Sequence, residues 1–429
     1  NNMTKVLLKN GEVYGVDGSV TKADVAISGT KIEQVGAVSR TWQADQVIDC
    51  TDKLLMPGFV NTHTHAAMTL FRSYADDMAL MDWLENKVWP AEANLTGDDV
   101  YWGTMLAIAE MLRSGTTAFA DMYFFMNDVA RAVEQSGIRA ALARGMAGVA
   151  PTANQALQET EAFFKEWNGG ADGRITVMVG PHAPYTCPPD YLKKVMALAG
   201  KLGAEIHIHL SETAGEVETC RSKFGKSPIA LMDELGLFEY GVLAAHCVHV
   251  SPEDIAIMKA KKVRVAHNPG SNMKLASGVA PVSAMLEAGV CVGLGTDGAA
   301  SNNNLDMLEE LRLAALLPKV STLCPTVIPA AQAVDMVSAQ GAKAIGLGDA
   351  VGKLAPGFKA DITAVSMTGP HWYPRHDRLS LLTYSANAAD VSMVMVDGKV
   401  LYENGRLTTI DEEQVKFEAG KRGLRLVQK

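Results

Sequence analysis

The sequence predicts a (β/α)8 barrel of the TIM type carrying a small β-sandwich domain built from both chain ends. Three observations carry this prediction. Eight short apolar runs punctuate the middle of the chain, and most gaps between them are long enough for a helix. The two ends instead alternate short β-rich pieces with Gly and Asp turns. The polar residues of the middle collect at the C-terminal ends of the apolar runs.

The N-terminal pieces are "KVLLKNGEVYG", "ADVAISGTKIEQVG" and "QVIDC"; the C-terminal ones are "ADITAVSM" and "VSMVMVDGKVLYENGR". Lys9–Glu12 (Lys-Asn-Gly-Glu) and Val396–Lys399 (Val-Asp-Gly-Lys) carry the dipeptides that favour tight hairpin turns. Residues 1–57 and 362–429 are therefore expected to form one split β domain around a barrel spanning 58–361. Asn1 and Asn2, ahead of Met3, read as residues left by expression.

The central runs are "KLLMPGFVNTH", "TTAFADMYF", "IRAALARGM", "RITVMVGPH", "AEIHIHLSE", "GVLAAHCVH", "KVRVAHNPG" and "VCVGLGTDG". Nearly continuous apolar strands alternating with helices indicate a parallel sheet covered on both faces. Eight such units suit a closed barrel; a doubly wound open sheet, the rival, usually has fewer strands. The clearest helix is "TGDDVYWGTMLAIAEMLRSGTT", with Thr96 as N-cap, Asp99 at the capping-box position and Gly115 marking its end.

At 429 residues, the chain exceeds one ordinary compact core. Hydrophobic content of 48% and charged content of 20% are ordinary for a globular enzyme. A net charge of -9 argues against non-specific nucleic-acid binding, which relies on a basic surface. The six cysteines are scattered with no CxxC pair, which suggests neither a disulfide framework nor a cysteine-zinc site and fits a reducing cytoplasm. The N-terminus lacks the apolar core of a signal peptide, and no apolar stretch nears the roughly 20 residues needed to span a bilayer.

The strand ends carry His63, His65, Asp121, Arg144, His182, His209, Glu212, His246, His267 and Asp297. In a barrel those ends converge on one face, where catalytic groups sit. His63 and His65 are two apart, so a strand points both the same way, and two imidazoles side by side can share one divalent metal. Alone, the pair reads as two polar residues at a loop start. His209 adds a third nitrogen and Asp297 an oxygen, and such a set with an open position is catalytic rather than structural. His207 shares a face with His209, and by spacing alone either could be the ligand. His209 is nearer the strand end and the barrel mouth, so His207 reads as an interior hydrogen-bonded histidine. His249 is expected to be structural or loop-exposed, and His267 has no assigned role.

Glu212, three residues beyond His209, is placed to take a proton from water at such a metal. His246 is either a further ligand or a hydrogen-bonding electrophile near the attacked carbon. "GLGTDG" matches GxGxxG, but a dinucleotide fingerprint needs a helix directly after it, and "AASNNN" follows. The chain also lacks the HxE…PCxxC signature of deaminases acting on cytidine and nucleic-acid bases.

Taken together, "PGFVNTHTH", "HLSET", "AAHCVH" and "LGTDGAASNN" resemble the amidohydrolase superfamily across almost the whole chain. The strand-four end, "VMVGPHAPY", lacks the bridging lysine of two-metal members, which implies a one-metal site. "THTHAAMTLFRSYADDMALMDWL", "VWPAEANLT" and "VGPHAPYTC" are similar to segments of the 5-methylthioadenosine/S-adenosylhomocysteine deaminases.

That resemblance implies one zinc per chain held by His63, His65, His209 and Asp297, with iron or another divalent ion as the alternative. It implies substrate contacts from Glu92, Arg144, His182, Glu212 and Asp297. Glu212 would be the proton shuttle and His246 would lie beside the reacting carbon, with Asp297 helping to orient the nucleophile. Read alone, Glu92 is an exposed helix residue, Arg144 a salt bridge at a barrel mouth and His182 a core histidine. The implied reaction is hydrolytic deamination at C6 of adenosine, 5'-methylthioadenosine or S-adenosylhomocysteine. The loop after strand three, "GVAPTANQALQET", has no basic residue, which weakens the case for S-adenosylhomocysteine. A deaminase or chlorohydrolase of guanine, a pterin or a triazine is the alternative, and a non-catalytic relative would have lost ligands. The implied partner is a small nucleoside, with no nucleic acid or membrane, in a cytoplasmic homo-oligomer.

Overall fold

A computed structural model describes residues 3–428, so the expectation for Asn1 and Asn2 lies outside the described residues. The N-terminal strands are β1 (Lys5–Tyr14), β2 (Val20–Ser28), β3 (Lys31–Gly36), β4 (Gln46–Asp49) and β5 (Lys53–Pro57). The central strands are β6 (Phe59–Thr64), β7 (Thr116–Tyr123), β8 (Arg139–Met146), β9 (Ile175–Pro181), β10 (Ile206–Leu210), β11 (Val242–His246), β12 (Arg264–His267) and β13 (Cys291–Leu294). β14 (Ile362–Ser366), β15 (Val391–Val396), β16 (Lys399–Glu403) and β17 (Arg406–Leu407) follow.

β6 to β13 pair in chain order, every pairing parallel, and form the eight-stranded barrel sheet. Their residues are almost wholly buried, as expected of strands covered outside by helices and filled inside by side chains. Both chain ends contribute to the second, mixed sheet, ordered β17-β16-β15-β14-β5-β1-β2-β3 with β4 beside β1. The Ile32 N–H donates to the Phe358 carbonyl and the Gly357 N–H to the Ile32 carbonyl, both at 2.9 Å. β3 thus returns to the chain just ahead of β14. Leu8, Ile27, Ile32, Leu55, Ile362 and Met395 share one buried core inside this curl.

The run "KLLMPGFVNTH" is divided between the two sheets at Gly58. β5 pairs with β14, and β6 begins the barrel. A Cβ at Gly58 would lie 1.9 Å from the Thr117 hydroxyl, so only glycine lets the chain pass there.

Val396–Lys399 forms the expected hairpin, with Val396 opposite Lys399 and Gly398 at φ 76°. Lys9–Glu12 does not. It lies within β1, which pairs with β2 on both sides of an irregularity between Leu8 and Gly11. Asn10 is left-handed (φ 66°), and its N–H donates to Asp24 Oδ1 at 2.8 Å. The same Asn-Gly preference for positive φ serves a bulge here instead of a reversal.

Helix Gly97–Arg113 is capped as its sequence predicts. The Thr96 hydroxyl accepts from the Asp99 N–H at 3.3 Å, and Asp99 Oδ2 accepts from the Thr96 N–H at 2.9 Å. Ser114 closes the helix, and Gly115 follows at φ 98°. After "GLGTDG", one helical turn, Ala299–Asn302, forms where no helix is expected. Two alanines and the capping position of Gly298 permit it, but one turn is too short to be a dinucleotide-binding helix. Among the described residues, no helix is long and apolar enough to cross a membrane.

Candidate active site

The C-terminal ends of the barrel strands bring the expected residues together. β6 delivers His63, with His65 immediately beyond it, β10 delivers His209, and Asp297 follows β13. His63 Nε2 and His65 Nε2 both lie 3.3 Å from Asp297 Oδ1, and His209 Nε2 lies 3.3 Å from His65 Nε2. His246, ending β11, places Nε2 3.6 Å from Glu212 Oε2 and 3.7 Å from Asp297 Oδ2.

Each ring is held from behind. His65 Nδ1 lies 2.6 Å from the Met122 carbonyl and His209 Nδ1 2.6 Å from the His182 carbonyl. A carbonyl only accepts, so both Nδ1 atoms carry the proton and both Nε2 atoms present lone pairs. His63 Nδ1 pairs with His207 Nε2 at 2.8 Å, which makes His207 the interior histidine expected. His246 Nδ1 meets Asn272 Oδ1 at 2.8 Å. Asp121 accepts from the Thr64 hydroxyl and the Ala66 N–H, both at 2.8 Å, and so braces the chain on either side of His65.

These residues fit a divalent cation. His63 Nε2 is buried without a hydrogen-bond partner, and it faces the lone pairs of His65 and an anionic carboxylate. Imidazole nitrogens and a carboxylate converging in this way suit a bound positive charge. The donor atoms of His63, His65 and His209, and those of His63, His246 and Asp297, each lie within 4.8 Å of one another. Burial pulls the His63 imidazole down to about 4 and His209 well below its usual value, keeping both neutral as metal binding requires. Burial favours the neutral form of Asp297, but the surrounding imidazoles outweigh it and hold the carboxyl well below its usual range.

Above this cluster lies a cavity of about 400 Å³, within the range of small-molecule sites. His65, Glu92, Arg144, His182, His209, Glu212, His246 and Asp297 line it; His63 lies behind, fully buried. Burial raises the Glu212 carboxyl; the nearby imidazole of His246 opposes the rise and Asp297 adds to it. For His246 the order reverses. Burial lowers it, but Glu212 and Asp297 together raise it. Burial pushes Glu92 up to about 7, against the Tyr123 hydroxyl beside it. His182 falls to about 4 through burial and the neighbouring His65 and His63, and its Nδ1 lies 2.9 Å from the Thr186 hydroxyl.

Arg144 has both of its readings at once. It lines the cavity, yet its Nε donates to Glu159 at 3.0 Å. His249 Nε2 meets the Ser277 carbonyl at 2.6 Å, away from the cavity lining. His267 is buried, and neither ring nitrogen has a partner among the described residues.

Several site residues escaped the sequence reading. The segment "MALMDWLENKVWPAE" folds as short helical turns whose Leu80, Trp83, Leu84 and Trp89 form an apolar wall. Ser271 and Asn272, on the turn after β12, reach Asp297 Oδ2 (2.8 Å) and His246. The polar run "HNPGSN" directly behind an apolar strand was their available signal.

The sequence model of the amidohydrolase family matches residues 54–401. The 5-methylthioadenosine/S-adenosylhomocysteine deaminase of Pelotomaculum thermopropionicum is 55% identical over 431 residues, covering 99% of this chain and 99% of that protein. An adenosine deaminase of Xanthomonas campestris, solved with bound zinc, superposes with a TM-score of 0.95 at 34% identity, covering 99% of this chain and 98% of that one. A triazine hydrolase variant shares the fold at 23% identity and a TM-score of 0.91, covering 99% of this chain and 100% of that one.

Proposed function

The chain belongs to the amidohydrolase family, and within it we propose a zinc-dependent deaminase that hydrolyses the C6 amine of adenosine-type nucleosides. 5'-Methylthioadenosine and adenosine are the substrates in view, with S-adenosylhomocysteine the weakest. One observation carries the reading. A three-histidine, one-carboxylate cluster with Glu212 and His246 beside it floors a cavity whose wall adds Glu92, Arg144 and His182. The names borne by the deaminase relatives support the same reading.

His63, His65 and His209 would hold one zinc per chain through Nε2, with Asp297 supplying a carboxylate oxygen. When bound, zinc acidifies water to a pKa of ~7 and so supplies a nucleophile at neutral pH. Glu212 takes the proton of that nucleophile on its carboxyl oxygen and delivers it to N1 of the purine. His246, anchored by Asn272 through Nδ1, presents Nε2 to the oxygen added at C6, and Asp297 orients the attacking atom. C6 passes through a tetrahedral centre bearing the new hydroxyl and the amine. Glu212 then carries the hydroxyl proton to the amine, the C–N bond breaks as C6–O becomes a carbonyl, and ammonia leaves the inosine analogue. Glu92 accepts the ribose hydroxyls, His182 contacts the purine or ribose, and Arg144 borders the 5' end. The apolar wall excludes water.

The same proposal assigns 1–57 with 362–429 to the β domain and 58–361 to the barrel. It also includes a cytoplasmic location and a homo-oligomeric assembly; the cysteines are all unpaired, as a reducing compartment would leave them. Ammonia release from metal-loaded enzyme, assayed on the three nucleosides, guanine and a chlorotriazine, tests the function. Turnover of 5'-methylthioadenosine or adenosine is the expected result. Turnover of guanine or chloride release from the triazine, with none from the nucleosides, would replace this reading with the alternative.

A further inference from the structure

Glu212 leaves β10 through a strained corner. Ser211 is left-handed (φ 55°) although it is not glycine, a conformation its Cβ disfavours. Its hydroxyl is buried without a partner, so the side chain does not hold the corner. The carboxylate of Glu216 does. Glu216 is 8% exposed and sits in the first turn of helix Ala214–Phe224. Its Oε2 accepts from the Ser211 N–H at 2.6 Å and its Oε1 from the Glu212 N–H at 3.3 Å. The Thr213 hydroxyl accepts from the Glu216 N–H at 3.1 Å, which fixes the start of the same helix. On the other side, the Ser211 carbonyl accepts from Val248 and His249 N–H at 3.1 and 3.0 Å, tying the corner to the loop beyond His246.

Among the described residues, no hydrogen bond reaches the Glu212 carboxyl; His246 Nε2 lies 3.6 Å from its Oε2. Its direction therefore comes from its backbone. We propose that Glu216 is a positioning residue for the deamination. Its carboxylate staples the Ser211 and Glu212 N–H groups, keeps the corner left-handed and aims Glu212 at the cavity floor. Its place is that of a brace: each carboxyl oxygen accepts from one backbone N–H, and Glu216 does not line the cavity where the substrate would sit. The inference rests on the reading of Glu212 as the proton carrier.

The test compares Glu216→Ala, Glu212→Gln, the double variant and Glu216→Ala with Ser211→Gly, all metal-loaded and all checked for metal content. Glu216→Ala is expected to lower kcat on the order of 100-fold, as a misaimed catalytic group does, with KM within about threefold. In the Glu212→Gln background it should cost nothing further. Adding Ser211→Gly should restore about tenfold, because glycine adopts the left-handed corner unaided. Metal content should stay at the parental level throughout. A parental kcat for Glu216→Ala beside a slow Glu212→Gln overturns this inference alone; so does an equal loss in both backgrounds. A parental kcat for Glu212→Gln overturns the reading of Glu212 and this inference with it. If Glu216→Ala does not fold, Glu216→Gln, which sets an amide against one backbone N–H, is read by the same criteria.

Discussion

Glu212 and Glu310 are both buried carboxyls with raised affinity for a proton, yet they answer to different surroundings. Glu212 faces the cavity and His246, the setting the proposed proton transfer requires. Replacing it with glutamine should lower kcat on the order of 100-fold or more while metal content, measured by elemental analysis, is unchanged. Glu310 lies away from the cavity lining, with the Gly270 N–H at 3.0 Å and the Asn302 amide at 2.6 Å as its donors. No cation is among the groups that shift it, and burial pushes it from 4.5 to about 8. The folded carboxyl then binds its proton more tightly than the unfolded one. As pH rises from 4.5 toward about 8, the unfolded state loses its proton first and stability falls; above that range the loss is complete. Urea midpoints measured across this window should decline with pH in the parent and decline less steeply in Glu310→Gln, which keeps Glu92 and the other buried carboxyls.

At the scale of elements, the strands end in unusual backbone. Ser211, His246 and Asp297 all have positive φ, at 55°, 77° and 60°, directly where the site begins. Left-handed residues turn the chain sharply, so a side chain at a strand tip can look across the barrel mouth. Such strain persists only where the surroundings over-determine it, as the Glu216 staple does. Helix Gly97–Arg113 shows the opposite case, an element whose local sequence agrees with its structure. Its capping box was legible because Thr96 and Asp99 need only each other's backbone. Thr96→Ala should destabilise the enzyme by about 1 kcal/mol, read as a lower denaturation midpoint with kcat unchanged. The Asn-Gly of β1 was misread because bulge and hairpin make the same local demand for positive φ, and only the partner strand distinguishes them.

Across the whole molecule, Arg139 ties the barrel to the β layer. It begins β8, and its guanidinium donates to Asp361 at 2.8 and 3.1 Å and also to Asp397, all buried. Burial alone would lower its proton affinity, but the two carboxylates outweigh this and raise it. Arg139→Met leaves two buried carboxylates uncompensated and should cost about 3–5 kcal/mol of apparent stability in urea unfolding. The candidate metal cluster joins β6, β10 and the segment after β13, so an ion held there would bind the folded state only. Removing it with a chelator should lower the thermal midpoint, and restoring zinc should recover it.

By itself, the sequence determined the eight strands, their parallel order and the identity of the residues at their tips. Those features are local: apolar runs, their spacing and the polar residue that ends each one. The tertiary structure alone decided which nitrogens converge, since His63, His65, His209 and Asp297 meet only when the barrel curls. It also decided that His207 stands behind His63, and that Arg144 borders the cavity while paired to Glu159. The reason is physical. A strand's period states which face a side chain takes, whereas distances across a barrel depend on closure and on backbone corners such as the one Glu216 holds.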